Sequence, residues 1–463
     1  MKDGQRKRTS LLLRFFSYRP YNNKIISTCV LFIVVTLIVD IYTVSYSTFS
    51  WSTYDLSIDT FIIIALVFIA GQYFLLDFIK RKSREIRSKR REHLHIIHKA
   101  VTMINYAILA IFIFVILQIL ISSHYNLAGV FSAITISYSL AITMMTLLAY
   151  QFLSWFKSNR NYVVLLYGLS AAVLSVNTGL ALSLVSVVSS DLPADVHALA
   201  GSFRPSFTPG SLTALLNTAY TISSIVSFTI TWIATTMLLR HYSKRLGNTI
   251  YWIAIGIPMV YYLGQFLYLF INPFSFLDSD PFSYGILLMT MFLLSKPAGG
   301  ALFGFAFWDI ARKLDKGPVR DYMIISAYGF MLFFISNQAA VVFPVISYPP
   351  FGLATILFIG LSSYFIMVGI YSSAISVSED SELRRSIRKF AIKESKLLDS
   401  IGIANMEQEI QKRVLRLAKE QEENMIEQTG IESSLDEDDM KEYLGQVINE
   451  VGKHPNNKND RNT

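Results

Sequence analysis

The sequence predicts an all-α integral membrane protein: a polytopic helix bundle of about ten spans, followed by a helical, charged cytoplasmic tail. Three observations carry that prediction. The 463-residue chain is 52% hydrophobic and only 16% charged, whereas a soluble protein averages about 25% charged. Its apolar residues gather into ten runs of about 20 or more, the length a helix needs to cross a hydrocarbon core of ~30 Å. Lys and Arg then alternate between the segments that join those runs. One set of segments holds seven at the N-terminus, nine in Lys80–Lys99, two in 157–161, three in 240–248 and four in 309–321, while the other set holds only Arg204. Basic residues stay on the cytoplasmic side, so both termini are expected there and the count of ten spans follows from the alternation.

Residues 1–24 form a basic cytoplasmic leader, and residues 25–377 the transmembrane domain. The spans are expected at 25–47, 58–79, 101–123, 130–156, 162–188, 212–239, 249–271, 284–308, 322–342 and 353–377. The first run is about 23 residues long, more than a signal-peptide core needs, and no small-residue cleavage site follows it. Asp77 stands three and four residues before Lys80 and Arg81, the spacing of a local helical ion pair. Ala171, Ser175, Gly179 and Ser183 repeat every fourth residue in the fifth span, and Gly300 and Gly304 do so in the eighth, which lets a neighbouring helix approach closely. The long loop at 189–211 contains Pro193, Pro205 and Pro209, which argue against a helix through it. No internal repeat is visible.

The bundle is organised around the eighth span. Lys296 stands near its middle and is followed by Pro297, Ala298, Gly299 and Gly300. A lysine at that depth costs about 3 kcal/mol or more unless something pairs with it. Pro297 removes a helical N–H, so Pro297, Gly299 and Gly300 are expected to break or kink the helix. Polar residues of other spans fall at a similar height when counted along each span: Asp40, Gln118, Asn177, Gln265, Asn337 and the adjacent Gln338. One reading is a polar ligand or ion pathway with Asp40 and Lys296 as its charged members. The other is scattered interhelical hydrogen bonds of about 1 kcal/mol each plus one structural ion pair.

After Val377 the composition changes. Residues 378–453 carry most of a tail in which 14 Lys/Arg stand against 19 Asp/Glu over 379–463. Helices are expected at 379–400 and 405–428, divided near Gly402, and a third from Ser434, where Ser434-Leu435-Asp436-Glu437 has capping-box form. Met406, Ile410, Val414 and Leu417 make an apolar stripe along the second helix, suited to coiled-coil packing or self-association. Residues 454–463 are expected to be disordered.

The stretch Ser376–Val414, SVSEDSELRRSIRKFAIKESKLLDSIGIANMEQEIQKRV, together with the span before it, resembles the tails of uncharacterised multi-pass membrane proteins of ammonia-oxidising archaea. The resemblance covers about the last third of the chain. It implies an archaeal plasma membrane and a cytoplasmic tail, and it supplies no activity or catalytic residue.

Enzyme signatures are missing: there is no GxxxxGK loop, HExxH, GxSxG or dinucleotide fingerprint. No cofactor is implied, and the single cysteine, Cys29, rules out a Cys-cluster metal site. His93, His95 and His98 lie among the nine basic residues of Lys80–Lys99, a surface suited to anionic lipid head groups rather than to a metal or nucleic acid. The leading expectation is a sensory or scaffolding protein that couples the bundle to its tail. A secondary transporter with its site at the eighth span is the alternative. A glycosyl transferase-like enzyme using loop acids such as Asp55, Asp59, Asp278 and Asp280 is the third.

Overall fold

The computed structural model describes residues 58–59, 61–73, 92–190, 194–197, 210–267, 281–314, 317–337, 350–380 and 396–429, with isolated positions 382, 384 and 387. The expected first span, the N-terminal leader, the third tail helix and residues 454–463 lie outside them, as do Asp40, Asp77 and Gln338.

Nearly everything described is helix. In chain order these are α1 (Phe61–Tyr73), α2 (Glu92–Ser122), α3 (Leu127–Ser158), α4 (Tyr162–Ser190), α5 (Leu212–Leu239), α6 (Asn248–Leu267), α7 (Pro281–Lys313), α8 (Pro318–Ser336), α9 (Phe351–Glu379) and α10 (Lys396–Thr429). A 3₁₀ turn at Arg240–Tyr242 and one helical turn at Ser243–Leu246 join α5 to α6. Among the described residues, six helices are long and apolar enough to cross a membrane: α2, α3, α4, α5, α8 and α9.

Local chemistry sets the helix ends. Asn126 caps α3 by accepting from the Ala128 N–H, and Ser211 caps α5 by accepting from the Ala214 N–H. Gly317 precedes α8, whose first residue is Pro318, a position where the missing N–H costs nothing. Gly247, at φ +85°, takes the left-handed conformation that lets α6 start at once.

The fold is not purely α-helical. β1 (His124–Asn126) and β2 (Asp195–His197) pair antiparallel, with His124 opposite His197. The segment 194–197 after α4 thereby ties to the α2–α3 turn. Leu127 N donates to Ala194 O at 2.9 Å, and Asn126 Nδ2 donates to Asp195 Oδ1 at 3.4 Å. Gln118, one of the residues at the shared depth, accepts from the Asn126 backbone N–H at 3.3 Å and so belongs to this joint.

Helices α8 and α9 form the centre. In each, 89% of the most apolar 18-residue window is buried, against 28–50% for the other four. α8 packs on α7 and α9, α9 on α3, α3 on α4, and α4 on α5, with α5 returning to α7. Small residues let these backbones meet. A Cβ at Gly304 would lie 2.6 Å from Ala327 O, one at Gly300 2.7 Å from Phe334 Cβ, and one at Gly369 2.5 Å from Tyr322 O. Aromatic rings fill the wider spaces: Phe228 stacks on Tyr262 with centroids 3.8 Å apart, and Phe307 stacks on Phe330 at 4.8 Å.

Three expectations about continuity are corrected. The chain stays helical through Pro297 from Pro281 to Lys313, so Pro297 does not break the eighth span. Gly299 and Gly300 are close-approach points against the Phe228 ring and Phe334, not a break. The expected ninth span, 322–342, instead begins at Pro318 and ends at Ser336. Gly402 does not divide the tail either: α10 runs unbroken for 34 residues, about 51 Å, and Gly402 meets the Val377 side chain.

Candidate functional site

The shortened α8 explains where Lys296 goes. Asn337 caps the C-terminus of α8, its N–H bonding back to Phe333 O at 2.9 Å. The carbonyls at a helix C-terminus lack intrahelical partners and carry partial negative charge. Lys296 Nζ donates to Asn337 O at 3.1 Å and to the Tyr220 hydroxyl at 3.0 Å. The Tyr220 hydroxyl in turn donates to Asn337 O at 3.5 Å. The ammonium also lies 5.2 Å from the Tyr220 ring centroid, within cation–π range. Lys296 is only 7% exposed. Among the described residues, no carboxylate pairs with it.

Asn177 locks this centre to two more helices. Its Nδ2 donates to Tyr220 O at 3.0 Å and to Ser223 Oγ at 2.8 Å, while its Oδ1 accepts from Asn337 Nδ2 at 3.4 Å. Side chains from α4, α5 and α7 therefore converge on the end of α8. Gln265 reaches the same level by a separate contact, accepting from Ser295 Oγ at 3.0 Å. Nearby, Tyr262 and Ser224 share a 2.9 Å hydroxyl contact between α6 and α5. Of the residues singled out in the sequence, Lys296, Asn177 and Asn337 form one network, and Gln265 bonds to the residue just before Lys296. Asp40 and Gln338 lie outside the described residues.

The sequence reading passed over Tyr220 and Ser223. Tyrosine and serine are common in this chain, and only the face of α5 that meets α4 distinguishes these two. It also passed over a second polar cluster, at the C-terminal end of α7 and just beyond its apolar run. Asp309, 1% exposed, receives Lys313 Nζ at 2.7 Å, Arg312 Nη2 at 3.3 Å and the Tyr242 hydroxyl, with His241 Nε2 3.5 Å away. Burial alone raises a carboxyl pKa, but here the hydrogen bonds from His241, Lys313 and Tyr242 win and hold Asp309 down at about 2. The spacings Asp309–Arg312 and Asp309–Lys313, three and four residues, were a readable signal.

The third polar region is the joint between tail and bundle. Leu397, Leu398, Ile401 and Ala404 of α10 are buried. Ser400 Oγ accepts from Asn161 Nδ2 at 2.6 Å, Asn405 Nδ2 donates to Ser378 Oγ at 3.0 Å, and Gln408 Nε2 donates to Ser154 Oγ at 2.9 Å. The start of α10 is thus seated on α3, α4 and α9. Further on, Ile410 and Leu417 of the apolar stripe are 40% and 55% exposed. His98 turns into the bundle, its Nδ1 3.0 Å from the Tyr364 hydroxyl of α9, so this histidine of the basic segment is not a surface group.

No protein-family model, characterised protein or solved structure matches this chain. The functional reading rests on these three regions.

Proposed function

We propose that the protein is a multi-pass plasma-membrane protein of about ten spans with both termini cytoplasmic, and that it acts as a sensory or scaffolding protein whose bundle sets the state of its tail. The observation that carries this reading is the seating of α10: its first three turns are buried against the ends of α3, α4 and α9 before the helix leaves the bundle. A helix held so firmly at one end and exposed at the other is suited to carrying a displacement of α9 outward to a partner. The exposed stripe through Ile410 and Leu417 is the surface for that partner, including a second copy of the tail in a coiled coil. The basic segments, Lys80–Lys99 above all, rest on anionic head groups. The route inward also consists of contacts: Gly402 on Val377 of α9, Gly369 of α9 on Tyr322 of α8, and Asn337 at the end of α8 on Lys296.

Hydrogen exchange on the full-length protein in nanodiscs tests the coupling. Lys296→Met should change the protection of Leu397–Asn405, at the far end of the bundle. Identical protection in both proteins refutes the coupling.

A secondary transporter is the second reading, and a different observation favours it: Lys296 meets only neutral acceptors among the described residues, at a helix terminus inside an apolar bundle. Discontinuous helix ends of this kind hold coupling ions in transporters. Uptake into proteoliposomes discriminates between the two. A protein truncated after Ser378 that still transports speaks against the sensor. The glycosyl transferase reading has no geometry to carry it among the described residues.

A further inference from the structure

We propose that Arg312 binds the phosphate of an anionic membrane lipid, with the lipid's chain lying along Phe305 and Trp308 of α7. The inference rests on the membrane reading above and deepens it, naming one lipid class and one site outside the Lys80–Lys99 segment.

Position comes first. Ala301, Phe305, Trp308 and Arg312 follow one another at four, three and four residues, on one face of α7. That face looks outward: Ala306, Phe307, Ile310 and Ala311 are buried, whereas Ala301 is exposed and the Arg312 side chain is 41% exposed. The Phe305 ring lies 5.9 Å from the Trp308 ring, which lies 5.5 Å from the Arg312 guanidinium carbon. An aromatic path along the helix thus ends in a permanent cation. Trp252, exposed one turn into α6, stands at the same end of the bundle, because α6 runs back antiparallel to α7. Tryptophan gathers at the level where hydrocarbon gives way to head groups.

The polar cluster beside it then fixes the guanidinium. Arg312 Nη2 donates to Asp309 Oδ1 at 3.3 Å and to the Tyr242 hydroxyl at 3.4 Å. Its Nε and Nη1 meet no acceptor among the described residues, so one edge of the fork is held and the other is open. Lys313 Nζ donates to Asp309 Oδ2 at 2.7 Å and to His241 Nε2 at 2.7 Å. A ring nitrogen that accepts from an ammonium carries no proton, so His241 is neutral there. Asp309 therefore cancels one of the two cations, and these four groups sum to one positive charge. A guanidinium edge takes two phosphate oxygens in parallel bonds, which a point-like ammonium cannot do. Free phosphate would fill the fork and leave the aromatic path bare, whereas a lipid uses both.

The test is tryptophan fluorescence of the full-length protein in phosphatidylcholine nanodiscs, with brominated phosphatidylglycerol or brominated phosphatidylcholine added in steps as quencher. Subtracting the signal of a Trp308→Phe variant isolates Trp308. Half-quenching by the anionic lipid is expected at a mole fraction about tenfold below that of the neutral one. Arg312→Gln should remove this preference. Arg312→Lys, which keeps the charge and loses the fork, should reduce it, and Lys244→Gln, which removes an exposed charge at the same end, should leave it intact. Equal quenching by the two lipids in the wild type overturns the proposal, as does an unchanged preference in Arg312→Gln. A loss in Lys244→Gln equal to that in Arg312→Gln overturns it too, because the charge would then act diffusely. If Arg312→Gln does not fold, Arg312→Lys decides: an undiminished preference overturns the assignment to the fork, and a reduced one upholds it. Displacement of the brominated anionic lipid by inorganic phosphate overturns the lipid as occupant. Quenching of Trp308 by neither lipid refutes the membrane placement itself, and with it the proposal, and is distinct from equal quenching by both.

Discussion

Replacing Gly402 tests whether the tail helix is seated or free, because the two cases predict opposite signs. In a free, solvated helix, glycine is less favourable than leucine by roughly 0.8 kcal/mol, so Gly402→Leu should tighten α10. In the seated helix, a Cβ at residue 402 would run into the Val377 side chain, lying 3.0 Å from Val377 Cβ and closer still to Cγ1. Overpacking typically costs about 1–3 kcal/mol, and three further leucine carbons put this case at the upper end. The net expectation is a loss of about 2 kcal/mol. That does not eject the helix, because fully burying Leu397, Leu398 and Ile401 contributes about 1.5–3 kcal/mol each before ordering costs. It should instead raise the population of a locally opened joint. A loss of 2 kcal/mol is roughly a thirtyfold change in an opening equilibrium. Hydrogen exchange of Leu397–Asn405 in nanodiscs should therefore quicken about thirtyfold, with α4 and α5 unchanged as internal controls. Exchange that stays the same or slows would mean that Gly402 faces no neighbour, and would refute the seating on which the sensory reading depends.

Other perturbations follow from the same contacts. Asp309 is held below its unfolded value, so its stabilising contribution is fully present above pH ~4 and is lost as pH falls toward about 2; Asp309→Asn should flatten the pH dependence of melting in that window, and an unchanged acid limb would show that the cluster carries no such linkage. Lys296→Leu and Asp40→Leu separately, and then together, report any pairing between the two charges: recovery in the double variant indicates a pair, and additive losses in detergent melting indicate that Lys296 relies on Asn337 and Tyr220. In a Cys29→Ser background, cysteines at Ser52, Ser202 and Ser279 should label from outside the cell and those at Ser88 and Ser158 should not; outside labelling of Ser88 would sink the orientation. Asn177→Leu removes the tie between α4, α5 and Asn337, and should lower melting by the equivalent of about 1–2 kcal/mol, since the part-buried Tyr220 O and Ser223 Oγ and the buried Asn337 amide each lose a partner; a loss under 0.5 kcal/mol would mean that the network is not cooperative.

The parts of this fold that were legible in the sequence are those set by periodic burial over many residues. The runs behind α3, α4 and α5 read correctly to within a few residues, because a bilayer-length apolar stretch has few other uses. Lys296, Asn177 and Asn337 could be picked out because polar groups are conspicuous at membrane depth. What failed were inferences from single residues. Pro297 signalled a break, yet the chain remains helical there, as proline within an apolar helix can when neighbouring groups satisfy the freed carbonyl. Gly402 signalled a stop, yet glycine also lies where a helix needs clearance, and only Val377 opposite distinguishes the two. The premature end of α8 had no local signature at all: VVFPV after Gln338 is as apolar as the rest of the run. Hydropathy counts apolar residues and cannot record where a helix stops among them.

That unannounced stop ties the observations together. Had α8 continued to residue 342, its carbonyls at Asn337 would have been consumed by the next turn, and Lys296 would have met no backbone acceptor. Ending the helix at Ser336 supplies one, with the favourable end of a helix dipole behind it. The arrangement makes the two features interdependent: the ammonium stabilises an exposed helix end inside the bundle, and the helix end stabilises the ammonium. Anything that shifts one must move the other, and α8 is bound along its length to α9 through Gly369 and Tyr322, whose own C-terminal turns seat α10. A change of charge at Lys296 therefore acts first on the end of α8, which together with α9 is the most buried of the apolar helices described and which reaches the tail through α9.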